Sequence, residues 1–141
     1  MAVTTTKAVI LEDRAQALAR YPHARMVGDL VYVSGVSSRR GDNTHEGVVF
    51  HPDGRVEKDI RAQTRAVLNN IRAILEAAGG DLSACVDITV FLVDMKDYSG
   101  MNEIWNEHFT KDGGPARTTV AVFQLPHPNL LVEMKAVACI R

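Results

Sequence analysis

The sequence is short of the side chains that announce a prosthetic group or a cross-linked scaffold. Of its 141 residues only Cys85 and Cys139 are cysteine, far apart in separate apolar stretches. That count and spacing exclude a disulfide framework and a multi-cysteine zinc site. The pair reads as buried, reduced thiols in a reducing compartment. The five histidines, at positions 23, 45, 51, 108 and 127, contain no HExxH or comparable metal spacing. Neither a metal nor another cofactor is expected. No apolar run approaches the roughly 20 residues of a membrane span. None follows a basic N-terminal segment as a secretory signal would, so a soluble, cytoplasmic protein is expected. The net charge is −1, which offers no broad positive field to nucleic acid or an anionic membrane. The glycine pairs in "GGDLSAC" (79–85) and "GGPAR" (113–117) lack the Gly-Lys-Ser/Thr ending of a phosphate loop and read as turns. Repeats, low-complexity tracts and long linkers are absent.

What is present is a globular composition, 46% apolar and 23% charged. A single domain over 1–141 is expected, large enough to bury a core without staples. "MVGDLVYVSG" (26–35) reads as a strand ending at Gly35, and "SSRRGDNTHEG" (37–47) as a polar loop. "VVFHPDGRV" (48–56) carries a Pro-Asp-Gly turn after a short strand. Ile60, Thr64, Val67, Leu68, Ile71, Ile74 and Leu75 recur at helical spacing, with Asp59 as N-cap and Gly79-Gly80 as stop. Arg61, Arg65 and Arg72 fall on the solvated face of that helix. "ACVDITVFLVD" (84–94) reads as a strand buried on both faces. "KDYSGMNEIWNEHF" (96–109) reads as a second helix, with Tyr98 and Trp105 in the core. Two strands end the chain, joined by a Pro-His-Pro corner at 126–128 where His127 is a corner residue. The pattern predicts an α+β fold with helices on one face of a mixed sheet. The other face is left for self-association to cover.

Two charges interrupt the apolar C-terminal strands. Arg117 shares a strand face with Thr119, Ala121 and Phe123, while Glu133 shares one with Lys135 and Val137. A carboxylate in such a strand is desolvated unless paired, and arginine is the usual partner. The pair is therefore either an internal salt bridge or a site in which Arg117 holds a substrate carboxylate while Glu133 handles a water.

At these residues "GGPARTTVAVFQLPHPNLLVEMKAVA" resembles the signature of the RidA/YjgF family of small imine and enamine deaminases. There Pro-Ala-Arg opens a strand and a Glu lies in the last strand after a Leu-Pro corner. "RYPHARMVGDLVYVSG" (20–35) and "DYSGMNEIW" (97–105) extend the resemblance over nearly the whole chain. The resemblance implies a chorismate-mutase-like (YjgF-type) fold, a homotrimer with active sites at its interfaces, and cofactor-independent hydrolysis of a C–N bond. By position it implies that Arg117 binds the substrate carboxylate and Glu133 positions the water. Tyr21, Ser34, Gly35, Asn102 and Thr119 then line the pocket. Thr119 stands where many members have Cys, and Lys135 where an acidic residue is common.

"SSRRGDNT" (37–44) and "PARTTVAVFQLPHP" (115–128) are most similar to the 2-aminomuconate deaminases of the family. That points to 2-aminomuconate plus water giving 2-oxohex-3-enedioate and ammonia, in aromatic catabolism. A six-carbon diacid has a second anionic end, which Arg39 or Arg40 could hold. The alternatives are a generalist 2-iminoacid deaminase and a non-enzymatic regulatory member of the family. His23, two residues after Tyr21, is a further residue with a possible pocket contact.

Overall fold

The computed structural model describes residues 5–140. Strand β1 (Thr6–Val9) precedes a hairpin of β2 (Ala24–Val27) and β3 (Leu30–Val33). The expected single strand over 26–35 is thus a two-residue turn with a strand on each side. Val27 pairs with Leu30, and Gly28 turns the chain at φ +56°, a conformation that side-chain-bearing residues rarely adopt. A small separate hairpin follows, β4 (Val48–Phe50) and β5 (Val56–Lys58).

Helix α1 (Ile60–Ala77) starts and stops where its sequence signals lie. The Asp59 carboxylate accepts from the Arg61 and Ala62 N–H groups at 2.9 and 3.1 Å, satisfying two amides that would otherwise be orphaned. Gly79 ends it at φ +98°. Strand β6 (Cys85–Leu92), helix α2 (Tyr98–His108), β7 (Ala116–Ala121) and β8 (Val132–Cys139) complete the chain.

The main sheet runs β1-β2-β3-β8-β6-β7. Every pairing is antiparallel except β6 with β7, as expected when a helix carries the chain between two strands. The two final strands are therefore not neighbours, because β6 lies between them. The corner before β8 is pinned to α1 by the fully buried Gln63. Its Nε2 donates to the Asn129 carbonyl at 2.9 Å and its Oε1 accepts from Leu131 N–H at 2.8 Å. This satisfied amide sets where β8 begins, and hence where Glu133 points.

Both helices cover one face. Val31, Val33, Ile88, Val90, Leu92 and Met134 meet Leu68, Ile71 and Met101 there, all removed from solvent. Each such side chain contributes about 1.5–3 kcal/mol of burial. The opposite face of β6 is open in the single chain: Val86 is exposed, and Thr89 and Phe91 are half-buried. The strand expected to be covered on both faces is thus covered on one. The arginines of α1 do more than meet solvent. Arg61 clamps Glu103 through two bonds of 2.6 and 3.0 Å, and Arg65 reaches Glu107 at 3.0 Å. These two rungs tie α1 to α2. Cys85 is buried, Cys139 only half so. Burial pushes the Cys85 thiol up to about 12, so it stays neutral.

Candidate active site

Parallel register places Arg117 beside Ile88 and Thr119 beside Val90, both of them core residues under the helices. Arg117 therefore points to the helix layer. Its guanidinium lies 4.8 Å from the Trp105 ring and 5.6 Å from the Tyr98 ring. It donates to the Tyr98 hydroxyl at 3.2 Å and toward the Met101 sulfur at 3.7 Å. Ring faces and neutral acceptors hold the cation in place. Among the described residues no carboxylate neutralises it. The Thr119 hydroxyl, on the same side, is buried without a hydrogen-bond partner. Asn102 is half-buried and lies one helical turn from Tyr98. These residues form a cationic half-site.

Antiparallel register places Glu133 beside Phe91, on the open face. The internal Arg117–Glu133 salt bridge does not form, since the two side chains leave the sheet on opposite sides. Among the described residues no donor reaches the Glu133 carboxylate. Burial alone pushes its carboxyl above the ordinary glutamate range, because the charged form loses hydration with nothing in exchange. Lys135, on the same face, turns away to donate to the Val33 carbonyl at 3.2 Å. A Cβ on Gly35 would sit 2.8 Å from Glu133 Oε2, so the bare glycine backbone lets the carboxylate lie against it.

Beside Gly35 a small cavity of about 60 Å³ is lined by Tyr21, His23, Ser34 and Arg39, among others. Ser34 Oγ donates to the Pro22 carbonyl at 2.8 Å. His23 does border the cavity, but both ring nitrogens are occupied. Nδ1 accepts from Leu11 N–H at 3.2 Å, so Nε2 carries the proton and donates to the Ala15 carbonyl at 2.8 Å. His23 is a brace for residues 11–15. Arg39 donates to the Gln16 carbonyl and to Asn43 Oδ1. Arg40 lies outside this cavity, locked onto Glu46 at 2.8 Å. Of the two loop arginines, only Arg39 borders the cavity beside Gly35.

A family model described as endoribonuclease L-PSP matches residues 11–140. The chain belongs to the RidA/YjgF family. A RutC family protein of Pyrococcus abyssi is 37% identical over 135 residues, 94% of this chain and 96% of that protein. The chloroplastic Reactive Intermediate Deaminase A of Arabidopsis thaliana is 33% identical over 138 residues, 97% of this chain and 68% of that one. The crystal structure of RidA from an Antarctic Psychrobacter matches with a TM-score of 0.78 at 31% identity, over 95% of this chain and all of that one. The YjgF-type fold expected from the C-terminal strands is the fold observed.

Within this RidA/YjgF chain the expected site residues divide in two. Arg117, Thr119 and Asn102 gather on the helix side, Glu133 lies against Gly35 on the open face, and Tyr21, Ser34 and Arg39 line the small cavity beside Gly35. Tyr98 and Trp105 were expected in the core. Trp105 is there, but its ring also seats Arg117, and Tyr98 is exposed enough to share that role. Their spacing with Asn102 on one helix face was the available signal. His127 accepts from Asn129 N–H at 3.1 Å and stacks on His45, which makes it the corner residue expected. No helix among the described residues is long and apolar enough to cross a membrane. Among the same residues no three of His, Cys, Asp and Glu gather as metal ligands would.

Proposed function

We propose that the protein hydrolyses an enamine or imine acid to the corresponding oxo acid and ammonia, at sites shared between chains of a homotrimer. One observation carries this reading: an arginine without an acid and an acid without a donor lie on opposite faces of one sheet. They can serve the same ligand only if Arg117 of one chain meets Glu133 of the next. Arg117 then binds the carboxylate beside the reacting carbon. Glu133, its pKa raised by burial, takes a proton from water as it adds to the imine carbon. Glu133 returns that proton to the carbinolamine nitrogen, and as the C–N bond breaks the hydroxyl proton passes to the Glu133 carboxylate, leaving the oxo acid and ammonia. A protonated imine is already electrophilic, so two residues suffice. The curated relative named for reactive intermediate deamination supports the same class of reaction.

The finer assignment is 2-aminomuconate, converted through its imine tautomer to 2-oxohex-3-enedioate. Arg39, at the cavity beside Gly35, is suited to the distal carboxylate of such a diacid. A generalist 2-iminoacid deaminase is the second reading, favoured by one observation. The Arg39 guanidinium is already engaged by Gln16 and Asn43 and must exchange those partners for a ligand. Ammonia release from enzymatically generated 2-aminomuconate, measured beside release from short monocarboxylate 2-iminoacids, tests the assignment. Preference for the diacid is the expected result. Equal or better turnover of the short acids would transfer the assignment to the generalist.

A further inference from the structure

A broad concavity lies apart from both Arg117 and Glu133. It is a groove of about 460 Å³ between α1 and the loops around Arg14 and Arg40, within the range of small-molecule sites. Four arginines line it, Arg14, Arg39, Arg40 and Arg65, against two carboxylates, Asp13 and Glu46. Glu46 is taken by Arg40, and Arg65 leans on Glu107 outside the groove. Arg14 reaches only the neutral Asn70 Oδ1, at 3.3 Å, and Arg39 only neutral oxygens. Among the described residues neither of these two cations forms an ion pair, and Asp13 is the one lining carboxylate that none of the four arginines engages. Ala62 and Ala66, on the α1 wall, are too short to fill it.

A second, independent feature points to a ligand. Ser38 lines the groove and is 1% exposed, yet its hydroxyl has no hydrogen-bond partner. A buried hydroxyl left unpaired costs about 1–3 kcal/mol, and a bound acceptor would remove that cost. Asn70 fixes the geometry. Its Nδ2 donates to the Ser37 carbonyl at 3.0 Å while its Oδ1 receives Arg14, so one helix residue holds both walls in register.

We propose that this groove binds the phosphate group of a small phosphorylated metabolite. A planar carboxylate is served by one guanidinium fork. Donors arriving from two loops and a buried hydroxyl suit an anion whose oxygens spread in three dimensions. The groove shares neither Arg117 nor Glu133. It meets the small cavity beside Gly35 at Ala15 and Arg39, which line both.

The test is calorimetric titration of the full chain with sodium pyrophosphate at low ionic strength, with succinate as the planar-carboxylate control. One saturable event per chain is expected in the wild type and in Arg117→Ala. Arg14→Ala should weaken it by about tenfold or more. Ser38→Ala should weaken it several-fold. That variant removes a hydroxyl without a partner, so it keeps the fold and carries the test even if Arg14→Ala does not. Deamination should be unchanged in Ser38→Ala. Absence of saturable binding in the wild type would overturn the proposal. So would binding that survives both groove substitutions but disappears in Arg117→Ala, or succinate binding as tightly as pyrophosphate.

Discussion

The two half-sites solve opposite problems with the same sheet. On the helix side, Arg117 is a cation cradled by Trp105, Tyr98 and a thioether, with only neutral or π acceptors around it among the described residues. On the open side, Glu133 is an acid lying against the Gly35 backbone with no donor to its carboxylate among the described residues, and burial raises its pKa. The first arrangement keeps a charge strong, because ring faces fix the guanidinium without neutralising it. The second makes a charge easy to extinguish, because an unpaired carboxylate takes up a proton readily. A fixed anion binder and a proton carrier differ in this way. An internal salt bridge would have cancelled both properties.

Removing the cation should have the largest effect. Arg117→Ala loses a charge-assisted pair with the ligand, about 1.5–3 kcal/mol, and also loses ligand orientation, worth roughly a further 10²-fold. Steady-state kinetics should show kcat/KM falling by at least about 10³-fold while circular dichroism stays native. Removing the proton carrier comes next. Glu133→Gln should lower kcat by roughly 10²-fold with little change in KM. As pH falls through the raised Glu133 pKa, the base is protonated and wild-type kcat/KM should fall with it. That limb should lie above the ordinary glutamate value of about 4.3 and be missing from the residual activity of Glu133→Gln.

Gly35→Ala sharpens the comparison without touching a charge. The added Cβ meets the mobile end of the Glu133 side chain, so the fold should tolerate it while the carboxylate is displaced. A loss of about tenfold in kcat is expected, near 1.4 kcal/mol, with Arg117-dependent KM preserved. The smallest effect separates the two loop arginines. Arg39→Ala should lower kcat/KM for the diacid by about tenfold and hardly alter that for a monocarboxylate. Arg40→Ala should change neither, since that side chain is engaged by Glu46. Equal losses on both substrates would remove the dicarboxylate reading.

Much of this was legible in the chain itself. The limits of α1 follow from Asp59 and Gly79, local signals that act within a turn. Arg117 and Glu133 stood out as charges in apolar strands, and the surrounding motif implied the roles proposed for them. What was hidden is what strand pairing decides. Gly28-Asp29 is only a two-residue break between the apolar stretches of 26–27 and 30–33, so two strands read as one. Nothing in residues 115–138 says that β6 will insert between the last two strands. That insertion, with the parallel register of Arg117 on Ile88, puts the charges on opposite faces. The clamps from Arg61 to Glu103 and Arg65 to Glu107 join distant segments, so each helix alone shows only a polar face. Arg39 and Arg40 are equivalent in sequence and differ only in which partner the folded loop brings to each.

The central claim is that each active site takes Arg117 from one chain and Glu133 from another. Co-refolding equal amounts of Arg117→Ala and Glu133→Gln chains tests it directly. Random assembly into three-membered rings makes most rings mixed, and each mixed ring holds one interface with both residues intact. Activity should return to about a quarter of the wild-type level, from two preparations that are each nearly inactive. A mixture no more active than the sum of its two components, with exchange of chains verified by mass spectrometry, would contradict the shared site.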